Sequence, residues 1–512
     1  MTEAETEAET EAETEAGTEA GTRTGTRAAG TQDPPAGVEV RKAEYGDRLA
    51  AVEPGGTEFI PYDQRHGTPL KLLWTWTSPN LEFATIFLGV LAVAAFGLSF
   101  WQAVAAALLG TGLGAVTHGI LSARGPGHGV GQMVLGRIAF GYRGNALPAG
   151  LNTIAGGVGW FAVNSVSATF ALATLTGLPK PLCLAVVVVL QVAIGFFGHN
   201  LVHTVERYAF PVLAVVFAVG AVVILSKANF SAPASGEGGG LGGFLIATAA
   251  AFGYAAGWNP YAADYTRYLP PGTGKRATGL YAGLGIFLGC TTLQIVGSAA
   301  VTIGGDALGD PTGTFTGHMP SWLGDLTLLA ITLGAICANA INIYSGAMSF
   351  VTLGVKLPVA LQRAAAALAF GVIGLVVAYF GLEDAGHDYE AFLLIIAYWV
   401  APWLGVVLTD QWLRRGTPMD EARLFDRSYA NHAGPIAMLA GVVISVWLFS
   451  NQQKYTGPVP DAWPSIGDIT ALVGFLLAAA LYALLVRVLP ASHRDKTVDE
   501  PAHKEAADPQ VT

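Results

Sequence analysis

The sequence predicts an all-α integral membrane protein with twelve transmembrane helices, and three observations carry that prediction. Hydrophobic residues make up 52% of the chain and charged ones 12%, against roughly 25% charged in an ordinary soluble domain. The apolar residues gather into runs of about 20, the length that crosses about 30 Å of hydrocarbon. The 65 glycines suit helices that pack closely in lipid, where small residues make the interfaces.

In chain order, residues 1–60 read as a disordered acidic cytoplasmic tail. The Thr-Glu-Ala repeat from Thr2 to Gly21 has almost nothing to bury, and it carries much of the net charge of -10. The helical domain spans residues 61–490, with apolar runs at 72–98, 101–121, 147–175, 181–200, 206–226, 241–262, 277–303, 322–350, 357–381, 389–413, 433–450 and 466–489. Residues 491–512 form a second polar, disordered cytoplasmic tail. With the N-terminus inside, cytoplasmic connections hold thirteen Arg and Lys, among them Arg124, Arg137, Arg267, Lys275 and Arg414, against Lys180, Lys227 and Lys454 outside. The positive-inside bias therefore puts both termini in the cytoplasm. Cys183, Cys290 and Cys337 all fall inside apolar runs, so neither a disulfide framework nor a zinc site is expected. A GxGxxG at Gly238, Gly240 and Gly243 follows no strand and reads as a connector, not a dinucleotide loop.

Two of the runs are interrupted. Thr77-Ser78-Pro79-Asn80 breaks the first, and Gly257-Trp258-Asn259-Pro260 breaks the sixth. Unwound backbone at membrane depth survives only where it lines a cavity, and matching interruptions in two halves of a chain point to a transporter's binding site. Two units follow, residues 69–226 and 241–413. Five crossings in the first invert the second, and helices at 433–489 are additions.

The third run places Gly156, Trp160, Asn164 and Ser167 on one stripe, and the eighth carries Asn339, Asn342 and Ser345. Amides in a membrane interior need partners; they serve either as glue between helices or as ligand contacts. Two indoles suit a flat ring, and a carboxamide offers the donor and acceptor that meet a nucleobase edge. No Arg or Lys lies mid-helix in the first, third, sixth or eighth run, which favours a neutral planar heterocycle. An amino acid whose carboxylate sits on a half-helix N-terminus is the alternative of different chemistry. Neither HExxH nor GxSxG occurs, so no enzyme is expected.

These features are similar to the purine-cytosine permease branch of the nucleobase-cation symporter family. Gly257-Trp258-Asn259-Pro260-Tyr261-Ala262-Ala263-Asp264-Tyr265-Thr266-Arg267-Tyr268 resembles that branch's sixth helix. Ala397-Tyr398-Trp399-Val400-Ala401-Pro402-Trp403 with Asp410 resembles its tenth, and the likeness runs over residues 65–490. The resemblance implies a leucine-transporter-like fold of five-plus-five inverted repeats with two further helices, working by alternating access in the cell membrane. Its implied substrate is a nucleobase, with no nucleic acid polymer as partner and no cofactor. Substrate-binding positions carried over are Trp160, Asn164, Trp258 (or Tyr254 one turn earlier), Asn342, Asn339 and Ser78, with Gly257 beside them.

Sodium-using relatives place two hydroxyl side chains on helix eight, where this chain has Ile336 and Cys337. Proton coupling is therefore expected over sodium, which needs hard oxygen ligands. Glu82, a carboxylate inside the first apolar run, is the candidate coupling residue. Its competing role is structural: Ser78 caps the restarted helix, Pro79 takes its first position, and Glu82 complements its positive end. Asp264 and Arg267 are expected to pair and brace the end of the sixth helix, with Pro79 and Pro260 setting the breaks. His199, His203, Glu206 and Arg207 form a loop cluster of structural or gating character. The alternative function is a sodium-coupled permease for allantoin, uracil or a hydantoin.

Overall fold

The structure, a computed structural model, describes residues 34–41, 56–196, 199–234, 239–354 and 358–492. The first apolar run is a broken pair, α1 (Lys71–Thr77) and α2 (Phe83–Ala94), bent by 61°. Long helices follow: α3 (Phe100–Ser122), then α4 (Ala146–Ile154) continued by α5 (Phe161–Thr176), α6 (Lys180–Phe196) and α7 (His199–Lys227). Next come α8 (Gly240–Ala256) with its extension α9 (Ala262–Thr266), α10 (Lys275–Val301), α11 (Ser321–Thr352), α12 (Val359–Phe380) and α13 (Ala385–Leu413). The chain ends with α14 (Ala433–Phe449), a hairpin of β1 (Asn451–Gln452) and β2 (Tyr455–Thr456), and α15 (Thr470–Val488).

Among the described residues, 7 helices are long and apolar enough to cross a membrane, or 8 with the bent pair as one span; four shorter apolar helices accompany them. Large apolar side chains stay exposed along their outer faces, such as Leu109, Leu113 and Val116 on α3 and Leu472, Leu476 and Leu484 on α15. Outward apolar surface of that extent fits a lipid solvent.

Local chemistry sets the boundaries. Ser99 and Gln102 form a reciprocal cap at the start of α3, each bonding the other's backbone N–H. Gly177, at φ 70°, ends α5. The bundle closes tightly between α2 and α10: a Cβ at Gly297 would lie 1.9 Å from the Ile86 carbonyl oxygen, so only glycine admits that approach. Helix α3 packs against α8 and α10, and α10 also carries α1 and α2. Helix α11 packs against α5, α6, α7 and α12, while α13 lies between α8 and α15.

Two expectations change here. Part of the expected tail is packed: Val40 bridges Phe59, Phe59 is buried against Val130, Val134 and Leu424, and Ile60 is buried beside it. Hydrophobic side chains at 59–60 give that stretch something to bury, unlike the acidic repeat, which lies outside the described residues along with 493–512. Gly240, Gly242 and Gly243 open α8 and are not loop residues; Gly238 lies outside the described residues.

Candidate substrate and coupling site

The first break is built from backbone groups that the helix gives up and side chains recover. Ser78, Pro79 and Asn80 form one 3₁₀ turn, and Glu82 is extended at φ -145° before α2 resumes. Proline lacks an N–H and clashes with the preceding turn, so the helix stops there. Thr77 Oγ1 then donates to Leu73 O, Asn80 Nδ2 donates to Trp76 O at 2.6 Å, and Thr85 Oγ1 donates to Asn80 O at 2.8 Å. Ser78 does not cap α2: Glu82 occupies that position, with no side-chain cap bond, and the Ser78 hydroxyl is buried without a partner. The expectation took Pro79 as the first helical residue, whereas its turn ends before the helix restarts.

The second break is milder. Gly257 and Trp258 lead into a 3₁₀ turn, Asn259–Tyr261, but Gly240–Thr266 remains one span. Pro260 falls in that turn, and Asn259 Nδ2 donates to Thr117 on α3 at 2.7 Å. The two breaks meet directly, because Trp258 Nε1 donates to Asn80 Oδ1 at 3.0 Å. Cys290 Sγ lies 3.2 Å from the same oxygen.

Trp160 lies next to the second break. Gly257 leaves room for it: a Cβ there would come within 3.2 Å of its indole ring. Both Trp160 and Trp258 are buried, at 5% exposure each. Each indole already packs against other aromatic rings in this conformation. Tyr254 and Phe392 stand perpendicular to Trp160 at 5.2 and 5.0 Å, and Trp76 and Tyr261 each stand 5.9 Å from Trp258. These are the T-shaped contacts that aromatic pairs prefer over a face-to-face sandwich.

The carboxamides form one connected group. Asn339 Oδ1 accepts from Asn164 Nδ2 at 3.0 Å and from Asn342 Nδ2 at 3.3 Å, and Asn339 Nδ2 donates to Phe161 O at 2.9 Å. The helix-bridging role is therefore filled by Asn339. Asn164 Oδ1, Asn342 Oδ1 and Ser345 Oγ remain buried without partners. Residues Ala155–Trp160 run as a wider π turn, which alters the expected stripe. Asn164 turns to α11, whereas Ser167 lines a neighbouring cavity.

That cavity measures about 880 Å³ and is lined by Phe83, Phe87, Gly159, Ala162, Val163, Tyr389, Phe392 and the hairpin from Gln452 to Tyr455. Trp160, Trp258 and the three asparagines are not on its wall. Phe392 is on it and also packs on Trp160, so it separates the cavity from the indole-and-amide group.

Glu82 sits at the inner end of the first break, at 1% exposure, and among the described residues it has no ion pair. Its Oε1 lies 2.9 Å from the Tyr254 hydroxyl, and its Oε2 has no partner. Asp264 and Arg267 are both anchored at the end of the sixth span. Asp264 Oδ1 accepts from Gln132 N at 2.9 Å; Arg267 donates to Gly56 O at 2.8 Å and to the Tyr268 and Tyr344 hydroxyls. The bracing thus runs to the 131–132 loop and the N-terminal segment. At that same end His128 lies 3.0 Å from Glu421, and this hydrogen bond holds the Glu421 carboxyl below its usual range. Asp410 bonds Arg414 and the Tyr482 hydroxyl, a brace between α13 and α15. The side chains of His199, His203, Glu206 and Arg207 lie outside the described residues.

A family model described as a permease for cytosine/purines, uracil, thiamine and allantoin matches residues 59–474. The chain belongs to this permease family. It is a multi-pass membrane transport protein and not an enzyme. YxlA of Bacillus subtilis is 27% identical over 449 residues, covering 85% of this chain and 96% of the relative. The purine-cytosine permease fcyB of Emericella nidulans is 28% identical over 469 residues, covering 86% and 91%. The inward-facing structure of Mhp1 matches the permease with a TM-score of 0.65 at 19% identity, over 86% of this chain and 95% of that one. At that identity the likeness establishes the fold.

Sequence reasoning passed over Asn80, Thr85 and Phe392. Asn80 was legible as the amide directly after the break proline. Phe392 had no signal, since it matters only through its contact with Trp160.

Proposed function

We propose that this permease imports a nucleobase, cytosine or a purine such as adenine, guanine or hypoxanthine, by proton symport through alternating access. The observation that carries the proposal is a set of buried side chains: two indoles flank Gly257 at a helix break, and Asn164, one turn after Trp160, is linked through Asn339 to Asn342 on α11, with amide oxygens left unsatisfied. Stacking on indole tolerates any planar base, and carboxamides discriminate by edge. The relative fcyB carries the name purine-cytosine permease. The four shorter apolar helices complete twelve crossings, the two breaks belong to inverted five-helix units, and both termini face the cytoplasm of a cell membrane. Movement of α13, which carries Phe392, opens the group to the 880 Å³ vestibule.

A sodium site fits the chain poorly. Ile336 and Cys337 are buried on α11, and hydrocarbon and sulfur are weak ligands for a hard cation. The Mhp1 structure with bromovinylhydantoin bound favours, as second reading, another flat heterocycle such as a hydantoin, allantoin or uracil in the same site.

Labelled cytosine or adenine accumulates in a permease-deficient host expressing this chain, a protonophore abolishes the accumulation, and replacing sodium leaves it intact. Uptake that requires sodium and ignores the protonophore overturns the coupling; failure of every unlabelled base to compete overturns the substrate. Asn342→Ala changes the ratio of KM values between cytosine and adenine by about tenfold, because an edge left unpaired is penalised. Uniform weakening across bases removes Asn342 from edge recognition.

A further inference from the structure

Tyr254 lies one turn before Trp258 on α8 and is buried at 1% exposure. Its hydroxyl is 2.9 Å from Glu82 Oε1 and 2.5 Å from Thr85 Oγ1, and Thr85 Oγ1 is in turn 2.8 Å from Asn80 O at the first break. Three contacts thus run in series from the carboxyl to the break. With Glu82 ionised, the tyrosine and threonine hydroxyls supply two protons for three contacts. If Tyr254 donates to the carboxylate and Thr85 donates to Tyr254, then Asn80 O goes unbonded. With Glu82 protonated, three protons serve three contacts: Glu82 donates to Tyr254, Tyr254 to Thr85, and Thr85 to Asn80 O. A hydroxyl carries one donor hydrogen, so the count permits no other complete arrangement of these three contacts.

Resting on the proton-symport reading above, we propose that Tyr254 is the positioning residue that transmits the protonation of Glu82 to the helix break, through Thr85. Asn80 Oδ1 holds Trp258, and the Tyr254 ring stands against Trp160, so the chain ends at both indoles. The groups facing Glu82 are Tyr254 on α8, Tyr389 on α13, whose hydroxyl donates to Ala84 O at 3.0 Å, and Cys290 on α10. All three are uncharged side chains, so among the described residues facing one another here the carboxyl's charge is the one that changes. The proton enters on Glu82 from the outside medium with the base and leaves to the cytoplasm after its release.

The test is binding of labelled cytosine or adenine to purified full-length permease across pH. In the wild type, affinity tightens as pH falls, toward tenfold per unit for one coupled proton. Tyr254→Phe frees Thr85 to bond Asn80 O at every pH, so affinity stays within about threefold of the low-pH wild-type value and its slope falls below about twofold per unit. Thr85→Val removes the last bond at every pH, so affinity stays at the weak, high-pH value. A purely packing role would instead weaken both variants and leave the slope unchanged, and that result overturns the proposal. A readout without any base keeps this test separate from the nucleobase reading. The carboxylic-acid C=O infrared band lost in Glu82→Gln shifts in Tyr254→Phe; an unshifted band overturns the relay whatever the substrate.

Discussion

Trp160→Ala raises the apparent KM for the transported base about ten- to a hundredfold at unchanged surface abundance. The size follows from one lost stacking face, worth about 1–3 kcal/mol per base, at about 1.4 kcal/mol per tenfold. Trp160 is buried at 5% exposure between Tyr254 and Phe392, so its removal also opens a hole in the core. Such a truncation costs about 3–5 kcal/mol of stability. Trp160→Phe separates the two effects: it keeps a stacking ring and most of the packing, and it restores KM to within about tenfold of the wild type. If Trp160→Ala leaves KM unchanged while the protein reaches the surface, the ring is a packing residue and the base binds elsewhere.

Glu82→Gln abolishes accumulation against a gradient while exchange of labelled for unlabelled base persists. The carboxamide fills the same space and donates to Tyr254 permanently, as the protonated carboxyl would, so Thr85 keeps its bond to Asn80 O and no proton is carried. A wild-type symporter moving one proton per base accumulates it about tenfold per unit of pH gradient; the variant only equilibrates. Counterflow in preloaded vesicles alongside net uptake separates a lost coupling ion from a lost binding site. Retained accumulation in Glu82→Gln moves the coupling residue off α2. Loss of exchange as well makes Glu82 a structural element of the break.

Much of this was legible before any coordinates, for reasons that differ by element. Hydrophobic runs bounded by turn residues placed most helix ends within a few residues, because crossing hydrocarbon demands length and leaves little room for other patterns. Both breaks were legible because proline beside polar residues has few other uses at that depth. The difference between them was not. The 61° bend at Pro79 and the continuation of a single span past Pro260 depend on what packs behind each turn. Likewise, Asn339 and Asn342 stood out as costly amides, but only the fold shows Asn339 joining α5 to α11 while Asn342 keeps an unsatisfied oxygen. The neighbours of the two indoles were not legible either. Residue spacing says which rings share a helix face, not that Phe392 from a distant helix packs on Trp160. The π turn at Ala155–Trp160 contains the Gly156-Gly157 pair, against which Tyr261 and Phe370 pack closely, and it leaves no periodic trace in the sequence.

The decisive experiment is a structure of the permease in lipid nanodiscs with cytosine or adenine bound. The base is expected with its plane about 3.5–4 Å from the Trp160 indole, its edge on the Asn342 amide, and Phe392 displaced from its present contact. Density for the base in the 880 Å³ cavity alone, or a base in contact with neither Trp160 nor Asn342, contradicts the site described above.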